Sequence, residues 1–122
     1  MTKRTLWEKF SKKIRSENAD HAGYISCASC GKRIPWQETD CGHFIENTER
    51  SKSFGGNELW FDVRNFGAQC KACNRFNAAE AKRMWTVKFL DYWGNDVYQE
   101  LIHKKQIPKK WLPEEIQKII NQ

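Results

Sequence analysis

The sequence contains no apolar segment long enough to cross a bilayer, and its N-terminal stretch MTKRTLWEKFSKK lacks the uninterrupted apolar run of a signal peptide. Internal repeats and low-complexity tracts are also absent. These absences predict a cytoplasmic protein without a membrane partner. The length of 122 residues suits a single folded domain, which we expect to span residues 1–122.

A disulfide framework is disfavoured, because five cysteines are an odd number and a cytosolic chain keeps its thiols reduced. Four of the five form two pairs of identical spacing, Cys27 with Cys30 and Cys70 with Cys73. Two intervening residues let both sulfurs of a pair point at one metal ion. We therefore predict that the four cysteines hold a Zn2+ ion. A closed four-sulfur site has no position for water, so this zinc should be structural rather than catalytic.

A large excess of charge of either sign is lacking as well. Lys and Arg total 21 against 15 Asp and Glu, which gives a formal charge of +6. This modest basic excess suits an anionic partner such as nucleic acid. It fits equally well with lysine-rich helices that present solvated faces. Charge alone therefore does not decide the function.

The first half of the chain is predicted to contain a helix and a small β-rich region. Residues 5–15 have helical apolar spacing, and their predicted buried face consists of Trp7, Phe10 and Ile14. Residues 24–33 should form a short hairpin with the first cysteine pair at its turn. Two further strands are expected at residues 44–45 and 59–63, joined by a long mobile loop.

The second half is predicted to be helical. One helix should run from the second cysteine pair to Gly94, with an apolar stripe of Phe76, Ala79, Met84, Val87 and Leu90. The next helix should end before Pro108, and Pro113 should start the last one. This order predicts an α+β fold with an N-terminal helix, a metal-bound core and C-terminal helices at residues 1–20, 24–93 and 95–122.

Three polar residues lie near the predicted zinc site along the chain. His43 is expected to begin the first central strand, Asn65 to follow the second strand, and Asn74 follows the second cysteine pair. Such residues more often belong to ordinary polar surface or to helix caps. However, zinc would join cysteine pairs that are separated by 39 intervening residues and could bring all three side chains over one hairpin.

Several short motifs, taken together in their order along the chain, resemble those of a known protein family. They are Cys27-x-x-Cys30, Trp36, Gly42-His43-Phe44-Ile45, Phe61-x-x-x-Asn65 and Gln69-Cys70-x-x-Cys73-Asn74, followed by Tyr92-Trp93-Gly94, Leu101 and Lys110-Trp111. This succession resembles the phage NinG, or Rap, recombination nucleases. The resemblance covers about residues 22–120 and leaves the N-terminal helix outside.

The resemblance implies a zinc-stapled HNH, or ββα-metal, nuclease, in which a hairpin and a helix hold one divalent ion against the scissile phosphate. His43 would be the general base for water, and Asn65 would orient it. Asn74 would bind a catalytic Mg2+ or Mn2+ ion separate from the zinc. The implied activity is hydrolysis of phosphodiester bonds in branched DNA, such as a Holliday junction or D-loop, during phage recombination in the host cytoplasm.

Two positions depart from the expected pattern. Many HNH enzymes place an Asp metal ligand directly before the base histidine, where this chain has Gly42, and Asp40 is the candidate substitute. A three-residue offset would point Asp40 to the opposite face of a strand unless a bulge intervenes. Related sequences also carry a Gly-Asn pair early in the long helix, where this chain has residues 78–80 as Ala-Ala-Glu.

Basic residues flank the proposed centre and are candidate phosphate contacts: Arg50, Lys52, Lys71, Arg75, Lys82 and Arg83. Cleavage of two opposed strands of a junction would suit a homodimer. Two alternatives stay open, an HNH nuclease that acts on ordinary duplex DNA and a zinc-ribbon module that binds DNA without cutting it.

Overall fold

The computed structural model describes residues 3–47 and 56–122. The helices in these parts of the chain are α1 (Lys3–Glu17), α2 (Lys71–Arg75), α3 (Ala78–Trp93), α4 (Asn95–Lys105) and α5 (Pro113–Ile120). The strands are β1 (Tyr24–Ser26), β2 (Arg33–Pro35), β3 (Asp40–His43) and β4 (Phe66–Gln69). Helices combined with two small sheets confirm the α+β class. No helix within the described ranges is long and apolar enough to span a membrane.

The strands form two antiparallel ribbons. In the first ribbon Ile25 of β1 lies opposite Ile34 of β2, which confirms the hairpin predicted around the first cysteine pair. Its turn closes through a hydrogen bond of 2.8 Å from the amide of Cys27 to the carbonyl of Lys32. In the second ribbon β3 pairs with β4. The amide of Ala28 donates to the carbonyl of Ala68 at 2.8 Å, so the turn of the first ribbon is fixed against the second.

The two central strands lie outside the predicted segments. We expected strands at residues 44–45 and 59–63, whereas β3 ends at His43 and β4 begins at Phe66. Consequently His43 ends its strand rather than beginning it, and Asn65 precedes the second strand rather than following it.

Local hydrogen bonds explain why residues 59–63 turn instead of extending. The side chain of Asn57 accepts from the amide of Leu59 at 3.1 Å, and that of Asp62 accepts from the amide of Arg64 at 3.0 Å. Such side-chain bonds to the backbone replace ladder pairing. Leu59 and Phe61 are still buried, so their apolar character reflects core packing rather than a strand.

The loop expected between the central strands falls largely on residues 48–55, outside the described ranges. Its flanking residues are joined side chain to side chain. The amide of Asn47 donates to the Asn57 oxygen at 2.8 Å, and that of Asn57 donates to the Asn47 oxygen at 3.0 Å. These two hydrogen bonds hold Asn47 and Asn57 together at the two ends of the segment.

The second ribbon separates two apolar cores. One core joins α1, α5 and β4 and contains Leu6, Phe10, Ile14, Phe61, Phe66 and Ile116. The other joins α3 and α4 to the chain beyond β3 and contains Phe44, Ile45, Leu59, Trp85, Phe89 and Leu101. A Cβ atom placed on Gly67 would lie 2.9 Å from the Trp85 ring, so the second core packs directly on the backbone of β4.

The single helix predicted after the second cysteine pair is two helices. The amides of Phe76 and Asn77 both donate to the carbonyl of Ala72 at 3.0 Å, which ends α2. Asn77 then has a non-helical backbone conformation, with φ of −117° and ψ of 44°, and separates α2 from α3. The expected apolar stripe was therefore wrong. Of its five residues, Met84 is half-buried, whereas the other four are exposed: Phe76, Ala79, Val87 and Leu90. The buried residues of α3 are Ala81, Trp85 and Phe89.

The helix boundaries near the C-terminus agree with the prediction. Gly94 ends α3 with φ of 86°, a left-handed conformation that favours glycine. Pro113 starts α5, where the Glu115 side chain accepts from the amide of Leu112 at 3.0 Å. Each of the two C-terminal helices anchors one fully buried residue, Leu101 of α4 and Ile116 of α5.

Candidate metal centre and adjoining cavity

Four cysteine sulfurs converge where the two ribbons meet α2. The Sγ atoms of Cys27, Cys30, Cys70 and Cys73 all lie within 4.8 Å of one another. A tetrahedral zinc site with Zn–S bonds of about 2.3 Å has sulfur–sulfur edges of about 3.8 Å. The distance from Cys30 Sγ to Cys70 Sγ is 3.8 Å. The geometry therefore supports the predicted structural zinc.

Polar contacts fix the turn that carries the first cysteine pair. The side-chain amide of Gln69 donates to the hydroxyl of Ser29 at 2.9 Å, and the ammonium of Lys88 donates to the carbonyl of Ser29 at 2.6 Å. Ser29 is fully buried. A cation next to a cluster of four thiolates offsets part of their negative charge, which favours the metal-bound state.

A cavity of about 420 Å³ adjoins this centre between the end of β3 and α3. Its lining includes the predicted base His43 and the predicted ion ligand Asn74, and it shares the wall residue Cys73 with the metal site. Charged side chains also line it, namely Glu46, Lys82 and Lys105. The fold thus brings two of the three predicted central residues to one concave site.

His43 lies at the junction of this cavity with the aromatic cluster beneath α1. Its ring stacks on Trp7 at 5.8 Å between centroids with an interplanar angle of 6°. The rings of Trp60 and Phe66 lie 5.3 and 4.7 Å from it. These contacts set the orientation of the imidazole, and α1 supplies the stacking partner.

Asn65 is fully buried, and its amide contacts the backbone of Ile45. The side-chain oxygen accepts from the Ile45 amide at 2.7 Å, and the side-chain nitrogen donates to the Ile45 carbonyl at 3.0 Å. The carbonyl of Asn65 also accepts from the amide of Phe44 at 2.7 Å. Asn65 therefore fixes the two residues that follow His43, which is an indirect route to orienting the imidazole.

Asp40 and Asn74 are in direct contact on the α2 side of the second ribbon. The Asn74 amide donates to Asp40 at 3.0 Å. Asp40 also accepts from Lys71 at 3.0 Å and from Arg75 at 2.8 and 3.1 Å. Burial alone would raise the pKa of the Asp40 carboxyl, but the bonds from Arg75, Asn74 and Lys71 outweigh it and lower the pKa to about 2. Asp40 is therefore ionised at neutral pH.

Asp40 and His43 face opposite sides of β3, because three positions separate them on a regular strand. The Asp40 carboxylate meets α2, whereas the His43 ring meets Trp7 of α1. No residue with a side chain fits the intervening Gly42 without rearrangement, since a Cβ atom there would lie 1.9 Å from the Gln69 side-chain oxygen. The absence of a side chain at position 42 leaves room for the side chain of Gln69.

The candidate DNA-contacting residues divide into three groups. Lys71 and Arg75 pair with Asp40, while Arg83 pairs with Glu80 on the outer face of α3. Lys82 lines the cavity, donates to the Phe44 carbonyl and lies 4.4 Å from the centroid of the Phe44 ring. Burial lowers the pKa of Lys82, Glu46 counteracts this, and Lys105 reinforces it. Arg50 and Lys52 lie outside the described residues.

Sequence reasoning did not identify Glu46 and Lys105 as cavity residues. Glu46 stands three positions after His43, which was an available signal, but Lys105 comes from the end of α4 and no local pattern links it to the centre. Cys41 packs against the core beneath α1, and burial raises the pKa of its thiol to about 12. Cys41 is therefore a core residue and does not belong to the cluster of four cysteines.

A family model described as Bacteriophage Lambda NinG protein matches residues 3–122 of the chain. The match includes α1, which the sequence resemblance over residues 22–120 had left outside. No curated protein and no solved structure matches the chain.

Proposed function

We propose a function for this chain from the premise that it belongs to the Bacteriophage Lambda NinG protein family. Membership implies a phage protein related to recombination. Our proposal is that the chain is an HNH-type, metal-dependent endodeoxyribonuclease that hydrolyses phosphodiester bonds in branched DNA such as a Holliday junction or D-loop.

One observation carries the proposal, namely that His43 and Asn74 line the same cavity next to the four-cysteine centre. A neutral imidazole can accept a proton from water near neutral pH. The cations of Lys82 and Lys105 in the same cavity suit a phosphate group. Together these groups offer a base, a polar ligand and an anion site within about 420 Å³.

The oxygen donors around the cavity fit a hard divalent cation. Asn74 and Glu46 both line it, and carboxylate and amide oxygens are preferred ligands of Mg2+ and Mn2+. When bound, such an ion supplies positive charge to the scissile phosphate. Asp40 contacts Asn74 and is the second ligand in this proposal, and it exchanges its contacts with Lys71 and Arg75 for the ion when the ion binds.

The residues of the chain then take the following parts in the reaction. His43, held against Trp7, removes a proton from the attacking water. Asn65 holds the backbone that follows His43, and Lys82 and Lys105 bind phosphate oxygens. The zinc at the four cysteines holds the ribbons and α2 in place.

The test is cleavage of a four-way DNA junction and of its separate linear arms, with and without Mg2+ or Mn2+. His43→Ala should lower the cleavage rate by about a hundredfold to ten-thousandfold while zinc content and DNA affinity stay unchanged. His43→Gln preserves more of the packing and should show the same loss. His103→Ala, which removes an exposed histidine on α4, is the matched control.

Each alternative has its own signature in that assay. Unchanged cleavage in both His43 variants would remove the assigned base. Binding of DNA without metal-dependent cleavage by the wild-type protein would favour a non-catalytic zinc-ribbon module. Equal cleavage of the junction and its arms would favour a nuclease for ordinary duplex DNA.

A further inference from the structure

Phe76 is exposed at the turn between α2 and α3. Its relative exposure is 80%. Among the aromatic residues in the described ranges, it is the one whose ring contacts neither another ring nor a cation. Exposing a phenylalanine ring in this way contributes nothing to the core, so the ring is available to a ligand.

The position of Phe76 relative to the cavity is fixed by the backbone. Its neighbours at two positions on either side, Asn74 and Ala78, both line the cavity. The amides of Phe76 and Asn77 are each held by the carbonyl of Ala72 at 3.0 Å. The ring therefore projects from a fixed turn at the border of the proposed cleavage site.

The surroundings of Phe76 are polar and basic rather than apolar. Lys71 and Arg75 lie on α2, which ends directly before Phe76, and both side chains are about half exposed. Asn74 and Asn77 are also exposed. An aromatic ring beside cations is the combination that binds unpaired nucleic acid, because the ring stacks on a base while the cations meet the phosphates.

A regular duplex offers such a ring no free base face, because every base is stacked on both sides. Insertion there requires unstacking of a base step. At a branch point the stack is interrupted, so the face of an end base is accessible at lower cost. Building on the proposed nuclease function, we propose that Phe76 stacks on an exposed base at the branch point and so gives the site its preference for branched DNA.

The test measures binding without Mg2+ or Mn2+, so that it does not depend on cleavage. A four-way junction carries 2-aminopurine at the branch point, and its linear arms are measured in parallel. Phe76→Ala should weaken junction binding about tenfold, leave binding of the linear arms unchanged and abolish the 2-aminopurine fluorescence change. Phe76→Trp should preserve both the affinity and the signal.

Tyr92→Ala is the matched control, because Tyr92 is 78% exposed and lies near the end of α3, outside the cavity lining. It should bind the junction as the wild type does. Equal junction affinity for Phe76→Ala and the wild type would overturn the stacking role while leaving metal-dependent cleavage intact. A wild-type protein that binds neither DNA would overturn this role and the proposed nuclease together.

Discussion

Asn65 and Asn74 have the same type of side chain but lie in different surroundings. Asn65 is fully buried and uses both amide atoms on the backbone of Ile45, whereas Asn74 is exposed and contacts Asp40. A buried polar group that loses its partner costs more than an exposed one, because water cannot replace the bond. We therefore expect a substitution at Asn65 to lower the stability of the fold and a substitution at Asn74 to affect the chemistry of the site.

Replacement of each asparagine by alanine should separate these effects. Asn65→Ala leaves the amide and carbonyl of Ile45 without partners and should lower the free energy of unfolding by roughly 3 kcal/mol. Asn74→Ala should change it by less than about 0.5 kcal/mol and should remove metal-dependent cleavage. Urea unfolding followed by tryptophan fluorescence measures the first quantity. Similar stability losses in the two variants would contradict the distinction.

Asp40 pairs with two cations of α2, Lys71 and Arg75, and also contacts Asn74. Asp40→Asn should release Lys71 and Arg75 for phosphate contacts and strengthen DNA binding at low salt, on the order of threefold. Its salt dependence should also become steeper. Asp20→Asn is the matched control, since Asp20 pairs with Arg33 of β2 and the change in net charge is the same. Equal effects in the two variants would show that net charge alone is responsible.

Short-range patterns predicted some side chains of the centre but not their contacts. The cysteine spacing identified all four sulfur ligands, because two intervening residues suffice to direct a pair at one ion. The pairing of Asp40 with α2 depends on how β3 packs against that helix, and no local spacing encodes it. The same holds for the stacking of His43 on Trp7, which joins residues 36 positions apart.

At the scale of elements, the metal centre joins short parts of the chain that are distant in sequence. Two ligands come from the turn of the first ribbon, one follows β4, and one lies in α2. None of these elements exceeds five residues, so packing alone stabilises them weakly. We therefore expect a metal ion bound by the four cysteines to supply much of the energy that holds the ribbons to α2.

Removal of zinc should unfold this region. Mass spectrometry under native conditions should find about one zinc ion per chain, and a strong chelator should abolish the cooperative thermal transition. Cys70→Ser should behave like the chelated protein, whereas Cys41→Ser should retain the metal because Cys41 packs in the core. Retention of the transition in the chelated protein would contradict a structural role.

The helices were easier to predict than the central strands. Apolar spacing located α1, α4 and α5, because each presents one continuous face to a core. The strand prediction failed at residues 59–63 because burial of an irregular turn also produces an apolar run. The break after α2 was missed because it depends on two amides, those of Phe76 and Asn77, that donate to the carbonyl of Ala72. No residue type at these positions predicts that arrangement.

At the scale of the molecule, the residues that line the cavity all come from one chain. A four-way junction, in contrast, presents strands that are related by symmetry. A pair of chains related by a two-fold axis would address two opposed strands, so we propose a homodimer on the junction. Sedimentation analysis of the complex, without the catalytic ion, should show two chains per junction. A complex of one chain with one junction would contradict this arrangement.

The separation of the apolar interior by β3 and β4 has a consequence for combined substitutions. Within the described residues, Phe10 and Ile116 belong to one buried group, and Phe89 and Leu101 belong to the other. Truncations in different groups share no partner, so their energetic costs should sum, whereas paired truncations inside one group should deviate from the sum. Substitutions in one half of the interior can therefore be chosen independently of those in the other half.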